Sequence, residues 1–310
     1  MATQQTATTH YILAANGTRF AHRRLGRATG VPLVMHIHFR ANMDFWDPAL
    51  INALAATRPV ILFDQAGVGR STGSIPTTFQ GWADDLIALI TALNINEIDL
   101  FGFSMGGAAV QMVALTAPSL VRKLVLAGTA ASEPSPLVSD LRGIVWPRDV
   151  PPSEPIKLLA TARTPAEIGR ALAYSFFHDT DEGRAGAKAY WGRVSERHVS
   201  GEPRLLDLVD ADTGGKRQRA AYQDWLKPNP RNSFDRLGEL KMPVLVMNGD
   251  HDALIPTSRS WEMQARIPNA QLIVYPRAGH GFLYQYAELV AAHVNIFLDV
   301  EDYGDATAKL

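Results

Sequence analysis

FGFSMGG, residues 101–107, follows the apolar run that begins at Ile98 and precedes AAVQMVALTA (108–117). A serine sits between glycines where a strand should hand over to a helix. The stretch fits G-x-S-x-G: Gly102, Phe103, Ser104, Met105, Gly106. A strand that turns at once into a helix forces the residue at the apex into strained dihedrals. Small neighbours let the flanking backbones approach, and the serine hydroxyl then projects above the sheet. The backbone there lies at a helix N-terminus, where free N–H groups favour negative charge. By itself the pattern also fits a tight strand–helix crossing with no chemistry. The strand before it and the helix after it favour a nucleophile.

Working outward, the same alternation continues. HYILAANGTRFAHRRLG reads as two strands around Asn16-Gly17, a hairpin signal. PLVMHIH (32–38), PVILFD (59–64), EIDLFGF (97–103), LVLAGT (124–129), PVLVMNGD (243–250) and AQLIVYP (270–276) are short and rich in Val, Ile and Leu. Strands buried on both faces read this way. Helical spacing marks 83–93, 108–117 and 284–298. The fold class expected is α/β, a mainly parallel twisted sheet with helices on both faces. Between 131 and 235 prolines cluster, and helix-like segments (TPAEIGRALAYSFF, EGRAGAKAYWGRVSERHV, EPRLLDLVDAD) follow without strands. The division expected is a core of residues 1–130 and 236–310 with a helical cap at 131–235.

Composition narrows the class. The chain has 310 residues, 46% hydrophobic and 20% charged, with net charge −1 and no cysteine. That balance suits a soluble globular protein and gives no pull toward nucleic acid or an anionic membrane. Without cysteine there are no disulfides, thiolate nucleophiles or Cys-zinc sites. MATQQTATTH lacks a basic, then apolar, leader, and no apolar run reaches transmembrane length. A cytoplasmic location is the expectation, and the sequence carries no signal of oligomeric state. The tail EDYGDATAKL is polar and reads as loose.

A serine hydroxyl needs a general base, and the base needs an orienting acid. NGDHDALIP follows one strand and YPRAGHGF the next, both at the carboxyl edge where an open α/β sheet builds its site. With FDQAGVGRSTG (63–73), which matches D-x-x-G-x-G-x-S, and WDPALI (46–51), these motifs resemble those of the α/β-hydrolase fold family over nearly the whole chain outside the cap. The resemblance implies Ser104 as nucleophile, His280 as general base and Asp252 as acid. Asp250 and Glu133 stand as alternative acids. It also implies oxyanion donors at the N–H groups of Phe39 and Met105. Where the family has His-Gly, this chain has His36-Ile37-His38-Phe39, which puts a side chain at the glycine position.

His36 and His38, two apart on a strand, are expected on one face. H-x-H can bind a metal, but no matching Asp–His cluster follows, so neither metal nor cofactor is expected. His38 is read as a group near the oxyanion hole and His36 as buried. His178, His198, His251 and His293 are read as surface or structural. Serine at the elbow argues against the carboxylate-nucleophile chemistry of dehalogenases and epoxide hydrolases. Phe103, Trp146, Tyr174 and Trp191, with His38, are expected at an apolar substrate pocket. Arg163, Arg170, Arg184, Lys188 and Arg193 read as solvated cap faces. The substrate expected is an uncharged, lipophilic small-molecule ester or lactone. Carbon–carbon bond hydrolysis, cofactor-free perhydrolysis and slow-turnover ligand reception are the rivals on the same triad.

Overall fold

A computed structural model describes residues 2–134, 152–202 and 210–300. The elements run β1 (His10–Leu13), β2 (Arg19–Leu25), β3 (Leu33–His36), α1 (Pro48–Ala55), β4 (Val60–Phe63), α2 (Phe79–Ala92), β5 (Ile98–Phe103), α3 (Met105–Thr116) and β6 (Val121–Ala127). Four helices follow: α4 (Ser153–Thr161), α5 (Pro165–Phe176), α6 (Asp181–Val194) and α7 (Gly214–Trp225). The sheet then resumes with β7 (Val244–Gly249), α8 (Ser258–Arg266), β8 (Ala270–Tyr275), α9 (Phe282–Gln285) and α10 (Ala287–Asp299).

The eight strands form one sheet in the order β1-β2-β4-β3-β5-β6-β7-β8. β2 is antiparallel to both of its neighbours. All other pairings are parallel. Side chains alternate between faces, as the pleat requires. Leu33, Met35, Leu62, Val125 and Leu245 join one apolar core with α1 and α10. Val34, Ile61, Leu124 and Val246 join the other with α2 and α3. Each fully buried side chain of this size contributes about 1.5–3 kcal/mol. This two-sided burial is why the central strands β3, β4, β5 and β7 read as unbroken apolar runs, whereas β8, at the sheet edge, is only partly buried despite its apolar sequence.

From β3 the chain goes to β4 on one side and reaches β5 on the other. The crevice above the carboxyl ends of β3 and β5 is thus a topological switch point, where ligands bind in open α/β sheets. His36 at the end of β3 pairs with Gly102 of β5, which sets the loop after β3 beside the serine elbow.

α4 to α7 lie between β6 and β7 in the chain and add no strand to the sheet. Charge-assisted bonds tie them down. Arg193 of α6 meets Asp47 through two bonds, Nε at 2.8 Å and Nη2 at 2.6 Å. Asp47 also caps α1 by accepting the Ala49 N–H. Arg193 is therefore a tether and not a solvated face as read from sequence, whereas Arg163, Arg170, Arg184 and Lys188 are exposed. Arg40 donates to the carbonyls of Leu159 (2.6 Å) and Ala162 (2.9 Å) at the end of α4. Most of EPRLLDLVDAD, Trp146 and the tail 301–310 lie outside the described residues. Among the described residues no helix is long and apolar enough to cross a membrane.

Candidate active site

Ser104 stands between β5 and α3 with φ 58° and ψ −123°. An L-residue adopts this conformation only under strain. Two glycines permit it. A Cβ on Gly106 would sit 2.3 Å from the His36 carbonyl oxygen, and one on Gly102 would sit 2.3 Å from Val110 Cγ2. The start of α3 is thereby pressed against the end of β3.

His280 follows β8 and is fully buried. Its Nδ1 lies 2.7 Å from Asp252 Oδ2. Asp252, in the loop after β7, uses its other oxygen to accept the N–H groups of Leu254 and Ile255, each at 2.8 Å. A carboxylate so occupied is fixed in place, and it holds the imidazole proton on Nδ1. Nε2 of His280 is buried and has no hydrogen-bond partner among the described residues. The Phe103 ring lies against the imidazole, with centroids 4.9 Å apart.

The alternative acids have other partners. Glu133 forms an ion pair with Arg259 of α8 at 2.8 Å. Asp250 accepts the N–H groups of Arg277 (2.9 Å) and Ala278 (3.0 Å) and contacts His251 at 2.7 Å. These bonds pin the loop that carries His280, and they hold the Asp250 carboxyl below its usual range against the opposing effect of partial burial.

The loop after β3 is fixed by Asp64, at the end of β4. Its two oxygens accept the N–H groups of Met43 and Arg70, each at 2.8 Å. The carboxyl is pushed up to about 6 by burial, which outweighs those bonds. The D-x-x-G-x-G-x-S stretch thus clamps the segment that follows Phe39. Among the described residues, neither the Phe39 nor the Met105 N–H donates to a protein acceptor. Met105 is the first residue of α3, where an N–H has no intrahelical partner.

A cavity of about 100 Å³ brings together Ser104, Phe39, Met105 and His38. Ile156, Leu159, Ala160, Phe176, Leu254 and Ile255 supply its apolar wall, and Arg219 and Tyr222 of α7 reach it as well. Phe103 is fully buried behind His280 and does not line the cavity. Tyr174 is 58% exposed and, with Trp191, lines a separate groove of about 1020 Å³ over α5 and α6. The size of these aromatics gave no sign of which helix face they occupy.

β3 ends at His36, so the two histidines do not share a face as expected. His36 stacks on Trp82 at 5.5 Å, toward the α2 side. His38 meets Phe45, Phe103 and Phe176 edge-on, at the other core. Among the described residues no three His, Cys, Asp or Glu side chains gather as a metal site requires.

A strained serine on a strand–helix elbow, at the switch point of a mainly parallel sheet, defines the α/β hydrolase class. The profile of the alpha/beta hydrolase fold matches residues 31–285, and the chain belongs to this family of hydrolases. It is 30% identical over 288 residues to a poly(3-hydroxyalkanoate) depolymerase of Ectopseudomonas oleovorans, covering 90% of this chain and 88% of that protein. It is also 30% identical to a 2-hydroxy-6-oxononadienedioate/2-hydroxy-6-oxononatrienedioate hydrolase of Burkholderia vietnamiensis, covering 74% and 72%. Among solved structures, an alpha/beta hydrolase fold protein from Chitinophaga pinensis superposes with a TM-score of 0.81 at 32% identity, covering 96% and 99%.

Proposed function

We propose that this chain is a serine hydrolase that cleaves an uncharged, lipophilic carboxylic ester or lactone through an acyl-enzyme, with Ser104, His280 and Asp252 as its triad. The observation that carries this reading is the buried 2.7 Å bond from His280 Nδ1–H to Asp252. It leaves the Nε2 lone pair free to act as base. Nε2 takes the Ser104 proton as Oγ attacks the acyl carbon. The oxyanion then faces the Phe39 and Met105 N–H groups, an arrangement that often supplies a large part of catalysis. His280 returns the proton to the leaving alkoxide. Water, activated by the same nitrogen, hydrolyses the acyl-enzyme and frees Ser104.

The helices of 131–235 serve in this reading as a cap, with α4 and α7 closing the cavity over Ser104. Its small volume and largely apolar wall support a short, uncharged acyl group. The named activity of the depolymerase relative supports ester chemistry. A second reading, carbon–carbon bond hydrolysis of an acid-bearing diketone, is favoured by Arg219 at the cavity wall and by the named activity of the Burkholderia relative. The test is product analysis on matched p-nitrophenyl ester and β-diketone substrates, with stopped-flow detection of a p-nitrophenol burst. Ester turnover with a burst of about one equivalent supports the first reading. Diketone cleavage without ester turnover replaces it with the second.

A further inference from the structure

His38 occupies the position where the family resemblance expects glycine, and it lines the Ser104 cavity. The residue is only 3% exposed. Its Nδ1 lies 3.1 Å from the Phe39 carbonyl oxygen. A carbonyl can only accept, so the ring proton sits on Nδ1 and Nε2 keeps its lone pair. That nitrogen is buried and has no hydrogen-bond partner among the described residues. The rings around His38 are Phe45, Phe103 and Phe176, and a leucine or phenylalanine would suit such company better. A buried acceptor left unmet is costly, and a native site that keeps one usually has a use for it.

General-base catalysis is not that use. Burial drives the imidazole down to about 3, opposed by its bond to Phe39 and aided by repulsion from His280. So low a value makes a poor base near neutrality. It also keeps the ring neutral, and therefore an acceptor, throughout the working range of a hydrolase.

We propose that His38 Nε2 accepts a hydrogen bond from a hydroxyl on the acyl group of the substrate, which makes esters of short 2- or 3-hydroxy acids the preferred class. This rests on the serine-hydrolase reading above. In that reading the reacting carbonyl lies between Ser104 and the Phe39 N–H. An acceptor one residue before Phe39 is placed for atoms close to that carbonyl, and the first two acyl carbons beyond it are the natural sites. An acyl chain without the hydroxyl leaves Nε2 unmet in the complex. A site built to bond a hydroxyl rejects the analogue that lacks it far more strongly than an apolar pocket rejects a missing methylene.

The experiment compares p-nitrophenyl butyrate, 2-hydroxybutyrate and 3-hydroxybutyrate as substrates of the wild type, His38→Leu and His38→Gln. Each kcat/KM is divided by the rate of that ester with hydroxide, which removes intrinsic reactivity. One hydroxy ester should exceed butyrate by about tenfold or more in the wild type. His38→Leu should bring the ratio to about one, and His38→Gln, which retains an acceptor oxygen, should keep part of it. A purely structural histidine would lower all three rates together and leave the ratio unchanged, which would overturn the inference. If neither variant folds, Ki values for 3-hydroxybutyramide and butyramide against the wild type decide. Tighter binding of the hydroxy amide supports the proposal, and equal values overturn it. Butyrate turnover with no hydroxyl preference overturns this inference and spares the hydrolase reading. No turnover of any ester, with no acylation of Ser104, overturns both.

Discussion

Replacing Asp252 with asparagine should nearly abolish turnover while leaving the fold intact. In the native site one carboxylate oxygen takes the His280 Nδ1–H at 2.7 Å, and the other takes two backbone N–H groups at 2.8 Å. The asparagine must direct its single oxygen at those two backbone donors. Turned the other way, its amide would set donor against donor there. The amide NH₂ then faces His280 Nδ1 and donates to it, which moves the imidazole proton to Nε2. The nitrogen that should act as base now carries a proton. A wrong tautomer of this kind in a Ser-His-Asp triad lowers kcat about 10⁴-fold, equivalent to about 5.4 kcal/mol at about 1.36 kcal/mol per decade. The assay is kcat on a short p-nitrophenyl ester, with far-UV circular dichroism and thermal unfolding to verify the fold. Asp250→Asn and Glu133→Gln should each cost less than about a hundredfold, because their carboxylates serve the loop and Arg259 and contribute only indirectly to the base. Asp252→Asn within tenfold of wild type, or a larger loss from Glu133→Gln, would refute the reasoning.

Three further outcomes concern the elbow and buried His36. Ser104→Gly relieves a backbone strained at φ 58°. It should be more stable than Ser104→Ala by about 1 kcal/mol, the strain relief less the entropy cost of glycine; equal unfolding midpoints for these two variants would contradict a strained elbow. Gly106→Ala puts a Cβ 2.3 Å from the His36 oxygen and 2.6 Å from that of Ile37; it should lower stability by about 3 kcal/mol and ester turnover with it, and a native-like midpoint would mean the elbow is looser than described. Burial lowers His36 to about 4, against the weaker opposing bond to Ile37. The unfolded chain therefore binds the extra proton between about pH 4 and about pH 6.5, and stability falls as pH drops through that window. The stability gap between wild type and His36→Gln should accordingly narrow by about 1.4 kcal/mol per pH unit as acid is added. Urea unfolding at about pH 7 and about pH 5 measures it, and parallel curves would contradict the assignment.

The elbow was legible because steric demand writes itself into composition. Only small residues fit at Gly102 and Gly106, and two-sided burial leaves β5 without a polar stripe. Asp252 and His280 stood out because each lies in the loop just after an apolar strand, buried β7 for Asp252 and the partly buried edge strand β8 for His280. The cavity wall was harder to read. α7, GGKRQRAAYQDW, opens with two glycines and carries Lys216, Arg217, Arg219 and Asp224, so no apolar stripe announces the helix that brings Arg219 and Tyr222 to Ser104. Ile156, Leu159 and Ala160 of α4 lie close after a proline cluster that reads as loop. The shared face inferred for His36 and His38 failed because the strand stops at His36. Two residues beyond His38 the chain turns through Arg40 at φ 60°. Arg193 could not be told from its exposed neighbours, because its partner Asp47 is remote in sequence and only the packing of α6 on α1 brings them together.

The central claim is that Ser104 is the nucleophile. An active-site-directed fluorophosphonate, followed by tryptic mass spectrometry, tests it most directly. About one label per chain is expected, confined to the peptide containing Ser104 and lost in Ser104→Ala. Label on another serine, or none in folded protein that still turns over esters, would contradict the account.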